Sequence, residues 1–212
     1  MKYKIISFDL DETLIDNRPF EDMLWYEEMP KLYAEHHNIP FEKAKIIVTN
    51  AYDEIGNNDL NWYKPQFWFK HFNLQSDWQK AIEDLKHKLQ VYPGVLDLLK
   101  ELKQKYKLVI VTQSPKEFLK FKIELEDLQN YFSQIISTID DIKMHKKQEG
   151  TYEEVLKILN VKPEEIIHIG DSFNSDYLAP RKAGIFSLYL DRKKQRTGEG
   201  IIYSLEEIKK YL

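Results

Sequence analysis

Asp9, Asp11 and Thr13 place two carboxylates and a hydroxyl at alternate positions of one short stretch. Two carboxylates this close repel each other, and a bound cation relieves the repulsion. Mg²⁺ suits such a pair, because it takes one or two carboxylates together with water and phosphate oxygens. Thr112-Gln113-Ser114 and Gly170-Asp171-Ser172 add hydroxyls, backbone amides and a further carboxylate, and His145-Lys146-Lys147 adds an ammonium. A metal site, donors for an oxyanion and a cation for negative charge are what phosphoryl transfer needs, since its catalysis is mostly positioning and electrostatic stabilisation.

Three of these groups stand at the ends of strand-like runs. Tyr3-Lys4-Ile5-Ile6-Ser7-Phe8 precedes Asp9, Lys107-Leu108-Val109-Ile110-Val111 precedes Thr112, and Glu165-Ile166-Ile167-His168-Ile169 precedes Gly170. Runs this short and apolar suit strands buried on both faces of a parallel sheet. Residues 134–138 and 185–190 read as further strands. Helical spacing lies between them, with Val95, Leu98, Leu99 and Leu102 inward in one helix and Tyr152, Val155, Leu156 and Leu159 in another. Thr151-Tyr152-Glu153-Glu154 reads as a capping box, Gly184 as a helix C-cap, residues 192–200 as a loop and 204–212 as a terminal helix. The alternation predicts an α/β fold with a doubly wound parallel sheet, whose strand C-terminal ends converge on one crevice.

Between Asp16 and Gln90 the strand-like runs disappear. Residues 20–36 and 41–55 read as amphipathic helices. Ser76-Asp77-Trp78-Gln79 resembles a capping box, with Trp78, Ile82, Leu85 and Leu89 following at helical intervals. The expectation is a helical cap domain at 17–90 inserted into a core domain made of 1–16 and 91–212.

Composition narrows the function classes. The chain has 212 residues, 42% hydrophobic and 31% charged, with 31 basic against 35 acidic side chains for a net charge of −4. That balance argues against a general binder of nucleic acid or anionic membrane. Absence of cysteine excludes disulfides, thiol catalysis and thiolate metal sites. No apolar run approaches the roughly 18 residues of a membrane span, and a strand near the N-terminus leaves no signal peptide. A cytoplasmic protein, monomeric or homodimeric, is expected.

In these four groups the chain resembles the haloacid dehalogenase superfamily of hydrolases. Asp9-Leu10-Asp11-Glu12-Thr13 matches its Asp-x-Asp-x-Thr motif, Thr112 its second-strand Ser/Thr, and Gly170-Asp171-Ser172-Phe173-Asn174-Ser175-Asp176 its Gly-Asp-Ser-x-x-x-Asp motif. The family's motif lysine stands about six residues before an aromatic, and Tyr152 selects Lys146 over Lys147 in that register. The resemblance implies that Asp9 is the nucleophile forming an aspartyl phosphate, and that Asp11 is the acid and base. Mg²⁺ is then held by Asp9, the Asp11 carbonyl and Asp171. Thr13, Thr112 and the Gln113 amide contact the phosphate, Lys146 neutralises it, and Ser172 and Asp176 support from behind. Gln113 stands where the family often has Asn, and Lys147 and Glu149 stand where prolines are common.

Asp11 also separates the branches. Dehalogenases of the family lack this second aspartate, because a halide leaves without a proton, so phosphate chemistry is favoured. The expected activity is a Mg²⁺-dependent phosphomonoesterase acting on a small phosphorylated metabolite. A phosphonatase remains open, with Lys31, Lys43, Lys45, Lys64 or Lys70 as its Schiff-base lysine; so do a phosphomutase and a non-catalytic binder of a phospho-ligand or partner. The insert aromatics Trp25, Tyr26, Trp62, Tyr63, Phe67, Trp68 and Phe69 are expected mostly to pack the insert's own core, and His168 to be a packed core histidine.

Overall fold

Alternation along the short apolar runs decides which face each side chain takes. The structure, a computed structural model, describes residues 3–212. Its strands in chain order are β1 (Ile5–Phe8), β2 (Ile15–Asp16), β3 (Gln90–Val91), β4 (Lys107–Thr112), β5 (Gln134–Ser137), β6 (Ile166–Gly170), β7 (Phe186–Leu190) and β8 (Ile201–Ile202). Six of them form one sheet in the order β5-β4-β1-β6-β7-β8, and every pairing in it is parallel. Ile6, Phe8, Leu108, Ile110, Ile167 and Ile169 face one apolar cluster; Ile5, Val109, Val111 and Ile166 face the other. A period of two therefore buries both sides of the sheet.

The helices are α1 (Arg18–Met23), α2 (Met29–His37), α3 (Phe41–Ile55), α4 (Pro65–His71), α5 (Trp78–Leu85), α6 (Val95–Leu102), α7 (Lys116–Glu124), α8 (Thr151–Leu159) and α9 (Ala179–Lys182). Val95, Leu98, Leu99 and Leu102 of α6 close one face of the sheet. Tyr152, Val155, Leu156 and Leu159 of α8 close the other. Each such side chain, fully buried, stabilises the fold by about 1.5–3 kcal/mol relative to exposure. Because β1 is central, Asp9, Thr112 and Asp171 stand at the C-terminal ends of three adjacent strands.

The chain leaves this core through β2 and returns through β3, and these two strands pair antiparallel. Helices α1 to α5 lie between them. Met29, Val48, Tyr52, Trp68, Phe69 and Phe72 form a separate small core there, whereas Phe20, Leu24, Ile82 and Leu89 join the main core. The insert is thus an all-helical cap whose first and last helices are packed into the body below. Of its aromatics, Trp68 and Phe69 are buried in the cap core, Trp25, Trp62 and Phe67 pack against it, and Tyr26 is 46% exposed.

Two helix starts differ from the sequence expectation. In α5 the cap is Asp77, which accepts from the Gln79 N–H at 2.9 Å, and not Ser76. The start of α8 is Gly150 at φ 90°, where a side chain would be strained. The Thr151 hydroxyl there donates to the His145 carbonyl at 2.8 Å, so it makes no capping box. The terminal helix is a 3-10 segment, Leu205–Lys210.

Candidate active site

Asp9 follows directly on β1, and its N–H donates to the Ile169 carbonyl at 2.8 Å, tying the first motif to β6. Its side chain is 11% exposed. Lys146, brought in by the loop before α8, donates to Asp9 Oδ1 at 2.6 Å and lies 2.5 Å from Asp176 Oδ1. Lys146 is buried, while Lys147 is exposed. Asp176 is held from two further directions: the Ser172 N–H donates to Oδ2 at 2.8 Å and the His168 ring lies 3.1 Å from Oδ1. The His168 Nδ1 accepts from Ser7 Oγ at 2.8 Å, and Tyr152 Oη is 2.9 Å from Nε2. Gly170 leaves the room Asp176 needs, since a Cβ there would stand 2.3 Å from the Asp176 Cγ.

The electrostatics follow from three carboxylates around one ammonium. Atoms of Asp9, Asp171 and Asp176 able to hold a metal lie within 4.8 Å of one another. Desolvation alone would raise Asp176, but Lys146 and the His168 hydrogen bond outweigh it and bring the carboxyl down to about 2. Desolvation likewise works against the Lys146 charge, and Asp176 and Asp9 outweigh it, so the ammonium is held upward. The unbalanced negative charge falls on the other two. Burial pushes Asp9 well above the ordinary carboxylate range, with Lys146 opposing and Asp176 adding. Burial and Asp176 raise Asp171 to about 7. Burial lowers His168 to about 4, so its ring is neutral and gives its Nε2 proton to Asp176.

This donor set fits a divalent cation. Three carboxylates less one ammonium leave two negative charges, and hard oxygen donors suit Mg²⁺. Asp176 already serves Lys146, His168 and the Ser172 amide. The oxygens with capacity to spare therefore belong to Asp9 and Asp171.

On the other side of Asp9, Thr112 Oγ1 accepts from the Ser114 N–H at 3.1 Å. The Gln113 side-chain carbonyl accepts from the Lys146 N–H at 2.9 Å, so the residue that departs from the family's usual Asn fixes the lysine loop. Asp11 is gripped by Lys122 of α7, whose ammonium donates to both of its carboxylate oxygens at 2.8 Å and to Ser114 Oγ at 3.0 Å. Lys122 is 1% exposed. Between Asp11 and the cap opens a cavity of about 260 Å³, bordered by Trp25, Tyr26, Trp62 and Tyr63. None of the five cap lysines named as Schiff-base candidates borders it. Three of them are paired elsewhere: Lys31 with Glu28, Lys45 with Glu27, and Lys64 with Asp140 of the core at 2.7 Å.

The structure brings together Asp9, Asp171, Asp176 and Lys146, with Asp11, Thr112 and Gln113 on the cavity side. Thr13 is different. Its hydroxyl is fully buried and makes no hydrogen bond among the described residues. Its carbonyl instead accepts from Arg192 at 2.8 Å. Three residues of the site were missed by sequence reasoning: Lys122, His168 as the support of Asp176, and Glu12. Glu12 sits in the left-handed region at φ 58°. Its Oε1 accepts from the N–H groups of Asn17 and Arg18 at 3.0 and 3.1 Å, holding the start of α1 beneath the motif.

Comparison with known proteins gives the family. The haloacid dehalogenase-like hydrolase family profile matches residues 3–184. Phosphoglycolate phosphatase 1 of Pseudomonas aeruginosa is 28% identical over 195 residues, covering 86% of this chain and 67% of the relative. Pyrophosphatase PpaX of Bacillus mycoides is 25% identical over 190 residues, covering 87% and 81%. The crystal structure of a HAD phosphatase from Thermococcus onnurineus superposes with a TM-score of 0.85 at 27% identity, covering 100% of this chain and 97% of that one. With a profile match over residues 3–184, most of its length, the chain belongs to the haloacid dehalogenase-like hydrolases.

Proposed function

We propose that the protein is a Mg²⁺-dependent phosphomonoesterase that acts on a small phosphorylated metabolite through an aspartyl phosphate on Asp9. The observation that carries this reading is the Asp9 carboxylate, oriented by Lys146 through one oxygen with Asp11 two residues on at the cavity. Asp9 attacks phosphorus, the bond from phosphorus to the ester oxygen breaks, and that oxygen takes a proton from Asp11. Asp11 then takes a proton from the water that cleaves the aspartyl phosphate, which restores Asp9 and releases phosphate. The Asp9 carboxylate, the Asp11 backbone carbonyl and Asp171 would hold Mg²⁺, which when bound offsets charge between carboxylate and phosphate. Lys146, the Thr112 hydroxyl and the Gln113 amide neutralise and orient the phosphoryl oxygens. Ser172 and Asp176 keep Lys146 and the metal site in place.

The names of the relatives support phosphate-ester or phosphoanhydride hydrolysis as the class. The cap lysines, none of them at the cavity, give no support to a Schiff-base phosphonatase. The test is phosphate release from 4-nitrophenyl phosphate with and without Mg²⁺, beside Asp9→Asn. Mg²⁺-dependent release that Asp9→Asn abolishes is the expected result. Equal release from both proteins would remove Asp9 from its role.

A further inference from the structure

The cavity beside Asp11 is where a leaving alcohol must sit, because Asp11 delivers the proton to the departing oxygen. At about 260 Å³ it falls below the roughly 300–1,000 Å³ of pockets for drug-sized ligands, so it suits a group of a few carbons. Its cap wall is aromatic, made by Trp25, Tyr26, Trp62 and Tyr63. Besides Asp11 its charged side chains are Glu21 and Asp22, and no lysine or arginine borders it.

The two carboxylates are not neutralised by the protein. Neither lies within 4.0 Å of a lysine or arginine nitrogen among the described residues. Lys122 is the nearby cation, but its three N–H bonds go to Asp11 and Ser114, and it is buried behind them. With Asp11 carrying the proton it delivers, Glu21 and Asp22 against Lys122 leave one negative charge beside the leaving group. Glu21 and Asp22 are both exposed at the cavity's edge; desolvation raises the Glu21 carboxyl, and the charge of Lys122 and a hydrogen bond from the Asn17 side chain oppose the rise. A second cation would act in the same direction as Lys122. Aromatic walls attract a cation through the negative faces of their rings, and like charges placed in such a site repel.

We infer, on the phosphatase reading above, that the enzyme selects phosphomonoesters whose leaving alcohol carries a positively charged nitrogen, namely short aminoalkyl or quaternary ammonium alkyl phosphates, and disfavours leaving groups that carry negative charge. Trp25, Tyr26, Trp62 and Tyr63 enclose the nitrogen, and Glu21 and Asp22 balance its charge.

The test compares kcat/KM for three esters of similar size: phosphocholine, its uncharged isostere 3,3-dimethylbutyl phosphate, and phosphoglycolate. 4-Nitrophenyl phosphate serves as the control for turnover. The cationic ester should exceed its isostere by about 3–10-fold, the range of a partly exposed cation–aromatic contact, and the anionic ester should be slowest. In Glu21→Gln/Asp22→Asn, shown folded by its melting curve, the ratio of cationic to neutral ester should fall towards one. Equal rates for phosphocholine and the isostere, or preference for phosphoglycolate, overturn the inference and leave the phosphatase reading standing. So does turnover of the aryl ester with none of the three alkyl esters. No turnover of any ester, the aryl one included, overturns both.

Discussion

The Lys122 ammonium closes on both carboxylate oxygens of Asp11, at 2.8 Å each, from a helix that begins beyond the second strand of the site. Its third proton goes to Ser114, so Asp11 is fixed against the motif that follows β4. A buried charge tied at three points sets the direction in which a carboxyl presents its proton. Lys122→Met should lower kcat/KM for an alkyl phosphate by about 10–100-fold, the lower part of the range for a positioned acid. For 4-nitrophenyl phosphate, whose leaving group needs no proton, the loss should stay within about threefold. A leaving-group series measures both, and equal losses across it would show that Lys122 serves only the fold.

His168 predicts a pH dependence of stability. Its pKa falls from 6.5 to about 4 on burial, so between these values the unfolded chain binds the extra proton. The stabilisation is complete above pH 6.5 and is lost as the pH falls towards 4. Its full size is about 3 kcal/mol, from roughly 1.4 kcal/mol for each unit of displacement. Asp171, displaced upward, acts in the opposite sense over much of the same window. The effect is therefore read as a difference between wild type and His168→Gln in urea. The wild-type advantage at pH 7 should shrink by about 2–3 kcal/mol at pH 4.5. A constant difference would refute a neutral, buried ring.

Gly170→Ala should disable the site. The new methyl would meet Asp176, whose carboxylate is locked by Lys146, His168 and the Ser172 amide and has nowhere to move. Overpacking of this kind costs about 1–3 kcal/mol, and displacement of Asp176 releases the Lys146 that orients Asp9. Melting temperature and phosphate release should both fall. Unchanged activity would mean that Asp176 can shift without consequence.

Lys64 and Asp140 join the cap to the core at 2.7 Å, with side chains 28% and 17% exposed. The Asn58 carbonyl meets the His145 ring nearby at 2.9 Å. A partly exposed pair of this kind is worth about 0–1 kcal/mol, so Lys64→Met should leave the melting temperature nearly unchanged. Removing it should favour the open cap and raise KM, and it should flatten the dependence of KM on ionic strength. Identical salt profiles for the two proteins would remove this pair from cap closure.

Much of the fold was legible because burial on both faces of a sheet leaves few ways to write a strand. Ile5-Ile6-Ser7-Phe8 and Lys107-Leu108-Val109-Ile110-Val111-Thr112 announce themselves, and Asp9, Thr112 and Asp171 stand where those runs stop. Lys122 was hidden for the opposite reason. A lysine in an amphipathic helix reads as solvent-facing, and its partner lies 111 positions away. Glu12 occupies a variable position of its motif, so spacing gave it no weight, although its carboxylate holds the start of α1. β2 and β3 have two residues each, too few for any periodicity. The capping boxes misled because a better local partner was present: Asp77 one residue beyond Ser76, and a glycine before Thr151.

The place of β1 at the centre of the sheet governs how the molecule is made. Ile5 finds one neighbour in Lys107 and the other in Ile166, so neither flank of this strand is local in sequence. At roughly 5–20 residues per second on the ribosome, the strand waits on the order of ten seconds for its second partner. Pairings this distant also slow folding, since loop closure precedes any gain. An apolar strand with both edges open is prone to pair with other chains in that interval. Asp9, whose N–H bonds to Ile169, is therefore fixed in place only after β6 has been made, and a nascent chain should need protection at β1 until then.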